Sequence, residues 1–169
     1  WEKWAKSLHL EPLRNEVDEH HCYHECRTIS SGIAIACASV LRSPETARFA
    51  AANWDYREVS QTVEFQAKQG ETYQFEKLIA IMTSRDRMGD DLYAPTLAKA
   101  EEASGKGFDT CAQDSAEAWA AKWADCDCVV SGDVEATRAL RFNIYHLLIA
   151  ANPNDPRANI GAKSMSGEG

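Results

Sequence analysis

The chain has 169 residues, 44% of them hydrophobic and 26% charged, with a formal net charge of −8. That length supports one domain or somewhat more around a real core, and the acidic balance argues against nucleic acid, whose phosphates need clustered Lys and Arg. No apolar run is long enough to span a membrane and no signal peptide is present, so a cytoplasmic location without a membrane partner is expected; Trp1 stands where Met would, which gives the missing leader little weight.

Trp1, Trp4, Ala5 and Leu8 are spaced like a helix face, which Glu11-Pro12 would end. The following "EPLRNEVDEH" reads as a polar loop. From His20 to Ile29 the pattern alternates: Cys22, His24, Cys26 and Thr28 share one face of a predicted strand, and His21, Tyr23, Glu25, Arg27 and Ile29 the other. Ser30-Ser31-Gly32 turns the chain. Ile33 to Leu41 predicts a second strand, with Ile33, Ile35, Cys37 and Leu41 in phase. After the turn Arg42-Ser-Pro-Glu45, strands are expected over Thr46 to Asn53 and Val59 to Ala67. Tyr73, Phe75, Ile79 and Ile81 mark a further strand reaching Thr83. Strands at this spacing predict an antiparallel sandwich.

The period changes after Ser84. Asp90-Asp91 is a candidate cap for a helix from Leu92, which Gly105 and Gly107 would end. A second helix is expected from Asp109 to Trp123, with Cys111, Ser115, Trp119 and Trp123 along one face. Cys128-Val-Val130 reads as a short strand, and Gly132-Asp133 as a turn and cap. Val134 to Ala151 is a third helix. Leu140, Ile144, Leu147, Leu148 and Ala151 form one stripe, while Phe142, Tyr145 and Ile149 lie off it. Such a helix needs cover on most sides, and His146 on it reads as a core histidine bonded to backbone. Asn152-Pro153 and Pro156 stop it. A buried helix followed by a polar loop leads us to expect a piece of something larger. Strands first and helices afterwards give an α+β class.

Six cysteines are present: Cys22, Cys26, Cys37, Cys111, Cys126 and Cys128. Most read as small buried thiols in a reducing compartment. Cys22, His24 and Cys26 project from one side of one strand and are the metal candidates, with Cys126 and Cys128 as a second pair only if the fold brings them close. Alternate strand residues stand roughly 6–7 Å apart, whereas zinc takes closely spaced pairs from turns. A half-buried strand is the better reading. Trp119 and Trp123 read as packing rather than a sugar platform, and Trp54 and Tyr56 are loop aromatics able to stack on one.

Five stretches resemble glycoside hydrolase family 65, in order: "SSGIAIACASVL" (Ser30 to Leu41), "EKLIAIMTSRD" (Glu76 to Asp86), "FDTCAQDSAEAWAAKW" (Phe108 to Trp123), "GDVEATRALRFN" (Gly132 to Asn143) and "RFNIYHLLIAANPNDPRANIGAKSMSGEG" (Arg141 to Gly169). The family includes phosphorylases of maltose, trehalose, kojibiose and nigerose. The resemblance implies the end of an N-terminal β-sandwich over residues 1–85, a helical linker over 86–131, and the start of an (α/α)6 catalytic barrel over 132–169. It also implies inverting phosphorolysis. A glutamic acid protonates the glycosidic oxygen while phosphate attacks the anomeric carbon from the opposite face, giving β-glucose 1-phosphate.

The family's acid lies on barrel segments beyond Gly169, so no catalytic residue is assigned and the chain alone is expected to be inactive. Ser166 and Glu168 are candidates for the barrel mouth only. No cofactor is expected, and inorganic phosphate is the family's co-substrate. The implied partners are a disaccharide, phosphate, and the remaining barrel segments or a second copy of the chain. Two competing readings are a non-catalytic carbohydrate-binding or assembly module and a His/Cys metal-binding domain.

Overall fold

The computed structural model describes residues 9–55, 58–86, 91–151 and 160–161, with Trp54 described in its backbone alone. The chain divides into two compact units, Trp1–Ala112 and Gln113–Gly169.

The first unit is built on a four-stranded antiparallel sheet, β1 (Leu10–Val17), β2 (His21–Thr28), β3 (Ala34–Arg42) and β6 (Glu76–Thr83), in the order β1-β2-β3-β6. A separate hairpin, β4 (Arg48–Asp55) and β5 (Glu58–Glu64), forms the second sheet. The polar "EPLRNEVDEH" segment is therefore strand as far as Val17, and not the loop its composition predicts. It lies at the sheet's edge, where one row of backbone groups faces no neighbour and charges are tolerated. Pro12, which has no N–H to donate, stands beside a bulge between Pro12 and Arg14. The β1–β2 turn is fastened by Asp18, whose Oδ1 accepts from the amides of His20 (2.7 Å) and His21 (2.8 Å). Burial opposes ionisation of Asp18, yet these two donors hold its carboxyl below its ordinary range.

Pairing places Tyr23, Ala38 and Ala80 in one row across the sheet, flanked by the row of His21, Val40 and Leu78 and the row of Glu25, Ala36 and Met82. This face receives helix α1 (Tyr93–Lys106), which packs on β3 and β6. Small residues meet here. Ala36, Ala38 and Ala80 lie under a helix whose buried stripe is Thr96, Ala100 and Ser104, four residues apart. Leu92 closes one end, and its burial contributes roughly 1.5–3 kcal/mol. The buried Thr96 hydroxyl donates to Leu92 O at 2.6 Å, so it leaves no unmet group in the interface. Asp91 Oδ1 accepts from Tyr93 N at 3.0 Å at the helix start. Gly107 ends the helix at φ 82°, a left-handed backbone that other residues resist.

The opposite face carries Cys22, His24 and Cys26, in rows with Ser39 and Ile79, with Cys37 and Ile81, and with Ile35 and Thr83. The hairpin covers this face over β1 and β2. Asn15 Nδ2 donates to Asp55 O at 2.7 Å, and Gln61 Nε2 to Asp18 O at 3.0 Å. Over β6 the face stays open: Ile79 is 52% exposed and Ile81 67%. β6 itself begins at Glu76, so Tyr73 and Phe75 belong to the preceding loop and not to the strand their alternation predicts.

Helix α2 (Phe108–Cys126) follows Gly107 and runs across the division between the units. In the second unit it is followed by α3 (Val134–Ala150). Asp133 caps α3 by accepting from Ala136 N at 2.9 Å. Asp127 holds Arg141 through two bonds, 2.7 and 2.6 Å, and Trp119 meets Tyr145 at 5.2 Å between ring centres. Residues 127–130 are irregular, not the short strand that Cys128-Val-Val130 predicts; Val130 N instead donates to Thr137 Oγ1 at 3.0 Å. Among the described residues of α3 only Thr137 is buried, while Phe142 and Leu147 are each 63% exposed.

A ring-and-charge cluster ties α1 to β1. Tyr93 donates from its hydroxyl to Glu16 Oε2 at 2.6 Å, and Arg14 Nε donates to Glu16 Oε1 at 2.6 Å. The Arg14 guanidinium lies 3.6 Å from the Tyr93 ring centre, and Tyr93 meets Tyr23 edge-on at 4.8 Å. The Tyr93 hydroxyl first, then Arg14, holds the Glu16 carboxyl below its ordinary 4.5. A lowered carboxyl stabilises the fold above pH 4.5, and that contribution is lost as pH falls through the folded value. Tyr93→Phe should therefore cost about 1 kcal/mol at pH 7. The gap in melting temperature between the two proteins should narrow progressively as pH falls below 4.5 and Glu16 takes up its proton; a gap that stays constant down the acid series would show that Glu16 is not the partner that matters.

Candidate functional site

Cys22, His24 and Cys26 do line one side of β2 as their spacing predicts, but they do not converge. His24 Nδ1 is engaged with Asn15 Oδ1 at 2.5 Å, and Cys26 is buried. Among the described residues no group of three or more His, Cys, Asp or Glu is placed to hold a metal ion. Burial raises the thiol pKa of Cys22, Cys26 and Cys37. The expectation that most cysteines are buried fails: only Cys26 is fully so, and Cys128 is exposed. The hairpin leaves Cys22 and Cys37 half-buried on its face of the sheet, while Cys111 and Cys126 lie on α2 and Cys128 on the segment after it.

His21 reaches the other face, where its Nε2 pairs with Glu101 of α1. His146 is exposed rather than in a core, packed edge-on against Phe142 at 4.4 Å. Trp119 is a packing residue, with Lys122 Nζ over its ring at 4.9 Å. Ser166 and Glu168 lie outside the described residues, as do Tyr56, Asp90, the proline stop after α3, and the helix face expected at Trp1 to Leu8.

Sequence reasoning passed over the clefts of the first unit, among them two at or near the strand ends. One, of about 220 Å³, lies where Val59, Ser60 and Gln61 of the hairpin approach Cys22, Ser39, Leu41 and Lys77. The other, of about 350 Å³, is bounded by Arg42, Pro44, Thr72, Tyr73, Gln74 and Glu76. Arg42 and Glu76 are cross-strand partners at the end of the β3–β6 ladder, so their meeting depends on register and leaves no local sequence signal. No described helix is long and apolar enough to cross a membrane.

The described residues of the first unit thus bring thiols to one face of the sheet and clefts to the strand ends. Comparison with known proteins gives the family. The sequence model for the glycosyl hydrolase family 65 N-terminal domain matches residues 1–122. The chain belongs to glycosyl hydrolase family 65. It is 39% identical over 107 residues to a kojibiose phosphorylase of Thermoanaerobacter brockii, and 34% identical over 107 residues to an α,α-trehalose phosphorylase of the same organism. Each of these alignments takes in 63% of this chain and 14% of the enzyme. A kojibiose phosphorylase of Caldanaerobacter subterraneus subsp. tengcongensis is 29% identical over 170 residues, covering 95% of this chain and 22% of the enzyme. The family 65 chain thus spans between about a seventh and a fifth of the length of these relatives.

The thiol environments of this family 65 domain can be ranked by reactivity. With a thiol reagent near pH 7.5, Cys128 should react first, and Cys22, Cys26 and Cys37 at least about tenfold more slowly, because the thiolate is the nucleophile and burial suppresses it. Peptide mapping of the modified chain reads the order. Early labelling of Cys26 would contradict the packing of β2.

Proposed function

We propose that this chain serves as the N-terminal sandwich, the connecting helices and the entry to the catalytic barrel of an inverting glycoside phosphorylase. The boundaries we propose are residues 1–85, 86–131 and 132–169. The reaction of the whole protein is phosphorolysis of an α-glucosyl disaccharide by inorganic phosphate, yielding β-glucose 1-phosphate and the released sugar. It needs no further cofactor and takes place in the cytoplasm. The observation that carries this reading is the match of residues 1–122 to the family's N-terminal domain, joined to relatives that are phosphorylases of two different disaccharides.

An inverting displacement needs a carboxylic acid at the leaving oxygen and a phosphate held on the opposite face. The described residues offer neither as a pair in one walled pocket. In this proposal the acid and the phosphate site lie in the barrel, and α3 is its first helix. The exposed Leu140, Phe142, Tyr145 and Leu147 then become buried among the other barrel helices. The disaccharide is chosen by barrel loops and not by the sandwich.

Incubating the pure 169-residue chain with phosphate and each of kojibiose, trehalose and maltose tests the division of labour. No glucose 1-phosphate should form above the buffer blank. Turnover of any of the three by the chain alone would place the acid within these residues and overturn the reading.

A further inference from the structure

The two edges of the four-stranded sheet are built differently. β1, at one end, carries Pro12, a bulge and a run of charges, the devices that keep an edge from pairing. β6, at the other end, has none of them between Leu78 and Met82. There the sequence Leu-Ile-Ala-Ile-Met is uncharged, holds no proline and pairs with β3 without a register shift. Among the described residues no strand lies on its outer side. An apolar edge left open in this way is a template for another strand.

The backbone shows which groups are open. Strand N–H and C=O groups point to alternate sides, residue by residue. Ser84 N donates to Ala34 O at 2.9 Å, towards β3. Thr83 turns outward: its N donates to Asp86 Oδ2 at 2.7 Å and its O accepts from Asp86 N at 3.0 Å. The same alternation turns the N–H and C=O of Ile81, Ile79 and Lys77 outward. Asp86 thus closes the outer side at Thr83, and the open stretch ends at Ile81. Ile79 and Ile81 also expose their side chains on the face that the hairpin leaves bare. A cleft of about 250 Å³ lies along this edge, between Ile79, Ala80 and Ile81 and the α1 residues Lys99, Glu102 and Lys106. The charges on that α1 wall are joined to one another, Glu102 meeting Lys99 at 3.4 Å and Lys106 at 3.8 Å.

The occupant that fits this edge is the same strand. A twofold axis normal to the sheet through Ala80 pairs odd positions with odd and even with even, so every side chain stays on its own face. It sets Ile79 opposite Ile81 of the second copy, and Ile81 opposite Ile79 of the second copy, as hydrogen-bonded pairs with isoleucine against isoleucine on the bare face. Charge completes the match at each end. Lys77 has no carboxylate partner among the described residues, and it comes opposite Thr83 of the second copy, beside the Asp86 carboxylate bound there. Moving the axis to Ile79 would set Lys77 against Ile81 and part it from Asp86. The blunted β1 then stands at both outer ends of the joined sheet, so assembly closes at two copies.

We propose that this chain forms a twofold dimer by antiparallel pairing of β6 with β6 of a second copy, with Ile79 against Ile81 at the centre and Lys77 against Asp86 at both ends. The contact is small, and a dissociation constant on the order of 10 μM is expected. The proposal goes beyond the catalytic reading and does not depend on it.

Sedimentation equilibrium of the full 169-residue chain from about 1 to 300 μM tests it. The mass should rise from one copy to two across that range. Ile81→Lys, at an exposed edge position, should weaken association at least about tenfold. Phe142→Lys, on the exposed apolar side of α3, should leave it unchanged. A zero-length carbodiimide cross-linker reads the register. Lys77 and Thr83 stand roughly 20 Å apart along one strand, and Asp86 sits on Thr83, so a Lys77–Asp86 linked peptide forms only between copies. It should be found in the dimer and disappear on dilution. A chain that stays monomeric at about 300 μM would leave the edge to a strand from elsewhere in a longer protein and overturn the proposal. So would association that Phe142→Lys abolishes and Ile81→Lys does not, or a dimer that yields no Lys77–Asp86 link.

Discussion

The first unit depends on a close approach between a helix and a sheet. Ala36, Ala38 and Ala80 remove side-chain bulk from the middle of the sheet, and Thr96, Ala100 and Ser104 remove it from the facing stripe of α1. With so little volume between them, the helix has little freedom to slide once its ends are fixed. Leu92 and the ring pair Tyr23–Tyr93 fix one end. Arg42 reaching Ser104 O and the turn at Gly107 fix the other. The buried apolar area is modest, so the polar ties count. The edge-on ring pair is worth about 0.5–1.5 kcal/mol beyond its burial, and an exposed ion pair such as Arg14–Glu16 about 0–1 kcal/mol. The combined hold comes from several small terms that require the same helix position.

The two faces of the sheet have different relations to function. The α1 face is closed and structural. The other is covered by the hairpin over β1 and β2 and open over β6, where Ile79 and Ile81 are exposed. Its Cys22, His24 and Cys26 are strand residues in alternation, not a ligand set. At the strand ends, the loop after β5 and the register pair Arg42–Glu76 bound a cleft.

Much of this fold is legible in the residues. β2 and β3 announce themselves by residues in phase on one face, α3 by its Asp133 cap and α1 by its Gly107 stop. β1 is hidden because an edge strand needs no apolar face, and its charges and proline look like a loop. The misread strand at Cys128-Val-Val130 shows the converse: β-branched residues do not make a strand without a neighbour to pair with, and Val129 is 67% exposed. Tyr73 and Phe75 keep the alternating phase of β6 yet leave the ladder, because Phe65 draws them into an aromatic cluster. The cleft was invisible for a simple reason. Glu76 and Arg42 are 34 positions apart in number and meet only through the β3–β6 register, and an unmatched carboxylate oxygen leaves no trace in composition.

If the alanine seat makes the sheet and α1 one cooperative body, native-state hydrogen exchange shows it directly. The amides of β2, β3 and α1 should open together, at one common and slowest rate. Those of α3, where Thr137 alone is buried among the described residues, should exchange faster. Exchange of α1 at the faster rate of α3, with β3 still protected, would mean that the helix is only laid upon the sheet, and the account would be contradicted.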